Sequence, residues 1–264
     1  MLGLDRRRLS LPPDVQRWGL RLISIGVFAL GWQLLAHRMH SLLLPSFSET
    51  LTALLSLLVT PELWQALWVS NQAMVLGFGA AVFVGILVGF LMARLRAAEQ
   101  FLDPYLNILL VIPMGALVPI LIMATGLGLF TRVLIVFSFA VVVITVNTRA
   151  GLQTIESGWI EMAQSFGATE RQLWRQILLP GALPAILTGL RLGLARAISG
   201  MLFVELILLA LGIGRLILDF QGGFDSANLY ATIAVVVGEA VILIQALKWI
   251  ERRATPWTEP SVVE

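Results

Sequence analysis

The chain has 264 residues, of which 58% are hydrophobic and only 13% charged, with a net charge of +2. Soluble domains carry about 45–50% apolar and about 25% charged residues, so this composition excludes an ordinary soluble enzyme and indicates a polytopic membrane protein. There is no cysteine, which excludes disulfides, thiol nucleophiles and thiolate metal sites.

A hydrocarbon core of about 30 Å needs about 20 apolar residues per helix. Six segments qualify, roughly 18–36, 69–93, 104–126, 129–150, 182–211 and 229–250. The first follows Arg6, Arg7 and Arg8 and has no small-residue cleavage site after it, so it reads as a retained helix. Between the first two lies LLLPSFSETLTALLSLL, too polar to span and amphipathic, which predicts an interfacial helix from near Ser48. In the second span Gly77, Ala81, Gly85, Gly89 and Ala93 recur every fourth residue, a smooth stripe for close helix packing. Gly189 and Gly193 repeat the device in the fifth span. Pro113 and Pro119 interrupt the third, with kinks that either line a pathway or serve packing alone. The fifth is too long for one perpendicular crossing, which implies tilt or a start in the cytosol.

One set of connections holds Arg6, Arg7, Arg8, Arg17, Arg94, Arg96, Arg171, Arg175, Lys248, Arg252 and Arg253; the opposite set holds only Arg38, Arg132 and Arg215. The positive-inside rule therefore puts both termini and the 94–103 and 157–180 connections in the cytoplasm. The basic residues flank apolar spans, which favours lipid over nucleic acid as their partner.

The longest cytoplasmic connection contains EMAQSFGATERQLWRQILLP. Ser157 is placed to cap a short helix to about Phe166, with Gly167 at its left-handed end. Thr169 and Gln172 form a capping box for a second helix that should stop before Pro180. Such a helix–turn–helix is too short to bury a core and must rest on the membrane domain or on another protein.

Among the charges inside spans three stand out: Arg196, Glu205 and Glu239. Intramembrane charges are functional candidates. Arg196 and Glu239 lie at similar depth, so they either pair or leave Arg196 facing an anionic substrate. Glu205 lies nearer the outer side, where it would meet a binding protein, line an outer gate or reach water. Ala197-Ile198-Ser199-Gly200 faintly resembles an intramembrane serine protease site, but the histidines, His37 and His40, are at the end of the first span, so no base serves Ser199.

Glu161-Met162-Ala163, Gly167 and Ile177-Leu178-Leu179-Pro180 together resemble the Glu-Ala-Ala loop of ABC-importer permease subunits, with Met162 in place of the middle alanine. Leu44-Pro45-Ser46, Ile112-Pro113, Asn147-Thr148, Gly189-Leu190-Arg191, Glu205, Gly212-Ile213-Gly214 and Glu251-Arg252-Arg253 extend the likeness over about residues 44–257, to the sulfonate/nitrate/taurine-type branch. The resemblance implies an all-α permease of the type I importer kind, a single transmembrane domain over residues 1–264 with the 157–180 coupling loop inside it. It implies that Glu161, Met162, Ala163, Gly167, Ala168 and Pro180 couple to an ATPase, and that Arg196, Glu205 and Glu239 belong to the translocation path. The implied partners are two copies of a cytosolic ATPase, a second or sister permease, an extracytoplasmic binding protein and the lipids of a bacterial inner membrane. No Gly-x-x-x-x-Gly-Lys-Ser/Thr loop exists here, so ATP and Mg²⁺ would be held by the ATPase; this chain should carry no cofactor, metal or catalytic residue of its own. The rival reading is an ion-coupled secondary transporter or channel using Glu205 and Glu239.

Overall fold

The computed structural model describes residues 13–39 and 43–257; Arg6, Arg7, Arg8 and His40 lie outside them. The described residues form helices and connections, with no strand. In chain order they are α1 (Pro13–Met39), α2 (Phe47–Leu57), α3 (Pro61–Arg94), α4 (Arg96–Val111), α5 (Met114–Thr125), α6 (Leu129–Gln153), α7 (Ser157–Ser165), α8 (Glu170–Leu173), α9 (Leu179–Val204), α10 (Gly212–Gly222) and α11 (Ser226–Ala254). Five helical stretches are long and apolar enough to cross a membrane, and the bent pair α4–α5 makes a sixth.

At the centre stands α6, held between α3 and α9. The predicted small-residue stripes create this arrangement. A Cβ added at Gly85 of α3 would stand 2.8 Å from Ile144, and one added at Gly193 of α9 would stand 2.6 Å from the same side chain. Gly77 and Gly89 lie equally close to Val136 and Thr148, and Gly189 to Asn147. Lipid tails are as apolar as leucine, so helices in a bilayer gain little from hydrophobic exclusion and associate through such close contact. Met74, Ala81, Val136, Ala140, Ile144, Leu194, Ala197 and Met201 fill the seam. By contrast α1 is exposed along most of its length and touches the rest near its end, where Trp32 Nε1 donates to the Pro45 carbonyl at 2.9 Å.

The short helix expected near Ser48 is α2. Ser46 caps it, and the Glu49 side chain returns a bond to the Ser46 N–H at 2.8 Å. That same backbone bond holds the Glu49 carboxyl below the usual carboxylate range. The second span starts earlier than expected: Pro61, whose missing N–H costs nothing in a first turn, begins the helix. The third span is broken at Ile112–Pro113, where α4 and α5 meet at 105°. Pro113 sits at the break and Pro119 inside α5, so the first ends a helix and the second is absorbed by one. Arg149 ties α4 to α6 by bonding Asp103 and, at 2.6 Å, Glu99.

The expected stop before Pro180 does not occur. From Glu170 to Ile207 the chain is one helical run of 38 residues. Pro180 offers no N–H to the turn before it, and the helix accommodates this by widening. Residues Trp174–Leu178 form a π turn in which the Leu179 N–H reaches the Trp174 carbonyl five residues back. A second π turn, Glu205–Leu209, ends the run at Ala210, which is left-handed at φ 40°. After it comes α10, which was not anticipated because its 11 residues are too few and too mixed to read as a span.

The packing predicts a positional contrast. Gly85→Val should lower unfolding stability in detergent by about 1–3 kcal/mol through overpacking against Ile144. Gly79→Val, on the same helix with nothing within 4 Å, should shift the thermal midpoint far less.

Candidate functional site

Two places gather the residues singled out in the sequence. The first is the loop formed by α7 and α8. Glu156, with extended backbone, is the residue before α7, so Ser157 is already in the first turn and does not cap it. The other end is built as expected. Gly167 adopts φ +76°, its N–H bonds the Gln164 carbonyl at 2.9 Å, and the Ala168 N–H bonds the Ala163 carbonyl at 3.0 Å. This is a Schellman closure, which ends a helix rigidly and favours glycine. Directly after it, Thr169 and Gln172 exchange both bonds of a capping box.

Ala163 is buried, and Ile160 packs with Leu173 and Trp174 against Leu152, Leu178, Ala182 and Ile186. The loop therefore rests on the membrane domain. Arg94 at the end of α3 bonds Glu170 at 3.1 Å and lies 5.5 Å from the Trp174 ring, while Phe90 meets that ring at 4.5 Å. On the outer side Glu161 is exposed, and so are Trp159, Met162 and Phe166, the last at 86%. Spacings of three and four residues put these apolar side chains on one face. Glu161, Met162, Ala163, Gly167 and Ala168 thus belong to one small unit, whereas Pro180 lies beyond it at the helix junction. Trp159 and Phe166 were not singled out in the sequence, although their spacing around Met162 in a water-facing loop was the signal.

The second place is the set of charges inside the spans. Glu205 is fully buried and does not face outward. Ser70 Oγ donates to it at 2.7 Å and the Gly214 N–H at 3.2 Å, and Arg132 Nη1 lies 3.7 Å away. The Ile213 N–H donates to Ser70 Oγ at 3.0 Å, and Arg132 also bonds the Val69 carbonyl at 3.1 Å. Gly212 has φ +56°, and a Cβ there would fall 2.2 Å from Ser70 Oγ. The Gly-Ile-Gly sequence is thus a clasp over Glu205 that larger residues could not close. Arg132, assigned from sequence to an outer connection, is the buried counter-charge.

The Arg196–Glu239 pair is not formed. Glu239 accepts from Asn71 Nδ2 at 2.6 Å, and Arg196 has no charged or hydrogen-bonding side-chain partner among the described residues. The reason is the apolar seam: α11 packs on the central bundle through Ala240, Leu243 and Ile244, and Arg196 projects from an exposed face of α9. Ser199 Oγ donates to the Ala195 carbonyl at 3.0 Å, a helical back-bond rather than a nucleophile's arrangement. Glu205 and Glu239 each hold a donor of their own and the former is fully buried, which does not favour the ion-relay reading.

A bundle of five long apolar helices and one bent pair, with a capped helix–turn–helix connection between two of its spans, is the fold of a polytopic membrane protein. The family model described as the binding-protein-dependent transport system inner membrane component matches residues 81–256, and the chain belongs to that family of ABC transporter permeases. The taurine transport system permease protein TauC of Escherichia coli (strain K12) is 31% identical over 254 residues, 91% of this chain and 92% of that protein. The putative aliphatic sulfonates transport permease protein SsuC of the same strain is 31% identical over 211 residues, 78% of this chain and 80% of that protein. The inward-facing methionine ABC transporter MetNI shares the fold, with a TM-score of 0.59 at 22% identity over 75% of this chain and 96% of that one.

The buried cluster gives the second prediction. Arg132→Leu leaves Glu205 buried without its counter-charge and should cost about 3–5 kcal/mol in unfolding experiments. The double variant Arg132→Leu/Glu205→Leu should recover much of that loss, which a double-mutant cycle measures.

Proposed function

We propose that this chain is the permease of an importer driven by a cytosolic ATPase, and that α7 is the element the ATPase grips. The observation that carries this reading is the exposed Trp159–Met162–Phe166 face on a helix closed rigidly at Gly167. An apolar face of one short helix in water is suited to a groove on a soluble partner. Glu161 adds a charge beside it; Ala163 and Ala168 keep the turn small. Pro180 acts at one remove, at the start of α9.

Force applied to α7 has two rigid outlets. One is the helical run of 38 residues from Glu170 to Ile207, about 57 Å long at 1.5 Å per residue. The other is α3, reached through Arg94 and Phe90 against Trp174. A push on the loop thus moves both neighbours of α6. ATP and Mg²⁺ belong to the ATPase, which in a two-fold assembly would be present in two copies beneath two permeases. A binding protein delivers solute from outside, and the arginine asymmetry keeps both termini in the cytoplasm of a bacterial inner membrane. The relatives' names support a small anionic or polar solute, with sulfonates the leading class.

The test is co-purification of the cognate ATPase with variants of the loop. Phe166→Asp and Glu161→Lys should reduce ATPase recovery by on the order of tenfold, the size expected when about 1.4 kcal/mol of interface contact is lost. Membrane insertion and thermal midpoint should stay near wild type, because both side chains are exposed. Full recovery of ATPase and normal ATP-driven uptake in both variants would reject the docking role.

A further inference from the structure

We infer that Arg196 makes the exposed face of α9 an anion-selecting stretch of the translocation path, a reading that rests on the permease assignment above. The two arginines of α6 and Arg191 of α9 are matched. Arg132 lies beside Glu205, Arg149 bonds Asp103 and Glu99, and Arg191 bonds Glu251 at 3.2 Å. Arg196 has no such partner among the described residues, yet it lies well inside α9. It is 17 residues beyond Leu179 and 8 before Val204, about 26 Å and about 12 Å along the axis.

A guanidinium at that depth is not stable against lipid tails and cannot be neutralised by losing its proton. It must face water, an anion or protein. A second copy of this chain does not readily supply the counter-charge. The carboxylates within the spans at comparable depth, Glu205 and Glu239, already hold donors of their own. The surroundings on α9 are suited to a water-filled path. Ala195 and Ser199 are exposed with Arg196, small next to its long side chain, and Ser199 lies one turn further along the same face. Two turns beyond Arg196, Phe203 lies against Gly115 of α5, immediately after the Pro113 break. Backbone that leaves the helix at membrane depth is tolerated where protein or a watery cavity covers it.

The ligand class follows from the donor. Guanidinium offers a planar fork of N–H groups that matches two oxygens of one head group, so a solute bearing a single sulfonate or carboxylate is the expected passenger. Arg196 would attract it and leave it mobile, because no second cation among the described residues is seen to join the grip.

The chain's lack of cysteine makes the test clean. Ser199→Cys and, separately, Ala195→Cys are placed in the full chain, in membrane vesicles with its ATPase, with and without ATP. Each is reacted with an anionic sulfonatoethyl thiosulfonate and with its trimethylammonium counterpart, and rates are normalised to a free thiol. The expected result is labelling at both positions, with the anionic reagent favoured on the order of tenfold by the nearby cation. Adding Arg196→Gln should bring the ratio near one, and Arg196→Lys should restore it in part. No labelling by either reagent at either position would show a face covered by lipid or protein and overturn the proposal. A ratio that ignores Arg196→Gln would also overturn it. Co-purification of the ATPase reads the permease assignment separately, so either idea can fail alone.

Discussion

Everything in this fold is hung on the contact of α6 with its two neighbours. Ile144 is fully buried and is touched from one side by Gly85 and from the other by Gly193. In a bilayer the solvent does not push apolar surfaces together, so a bundle holds only where backbones come close enough for dense van der Waals contact. The glycines supply that closeness at several levels of α3 and α9. Helices without such stripes sit further out. The bent pair α4–α5 reaches α6 partly through polar bonds at Arg149, and most of the described side chains of α1 are exposed.

The polar groups inside this bundle follow a different logic from its apolar seam. Bringing Arg132 and Glu205 out of water is costly, and their mutual attraction offsets that only with hydrogen bonds around them. Ser70 and the Val69 carbonyl of α3 and the Gly214 N–H of α10 supply those bonds from two separate segments. The cluster therefore ties the N-terminal part of α3, the start of α6, the end of α9 and the start of α10 to one another. It specifies how those ends meet more than it adds to stability. Glu239 and Asn71 repeat the idea on a smaller scale between α11 and α3.

Much of this architecture was legible in the sequence. Period-four glycines, apolar lengths and the lopsided arginines are local or additive signals, and they gave six spans and one capped loop. Gly167 and the Thr169–Gln172 box were readable because caps are made by residues a few positions apart. What failed depended on distance in the chain. Arg132 and Glu205 are brought together only by the tertiary fold, so charge counting put the one in a loop and the other at the surface. Residue counting puts Arg196 and Glu239 at similar depth but is blind to azimuth, and Arg196 stands on an exposed face while Glu239 bonds Asn71. Pro180 was misread for another reason: it forbids one hydrogen bond, and a helix has more than one way to do without it. The face of Trp159, Met162 and Phe166 is legible from spacing, whereas the family motif marks Glu161 and Ala163.

The widened turn at Trp174–Leu178 also acts as a phase shift. An α-helix rotates about 100° per residue, so one additional residue in a turn re-aims all that follows by that amount. The azimuths of Gly189, Gly193 and Arg196 relative to the loop are thus set by a single inserted step just before Pro180. Proline acts here less as a terminator than as a key that fixes the rotation of the longest helical run in the chain. One turn of backbone decides which side of α9 meets α6 and which side is left open. The stretch where the helix is irregular is therefore the stretch that keeps the distant, regular part in register with the loop.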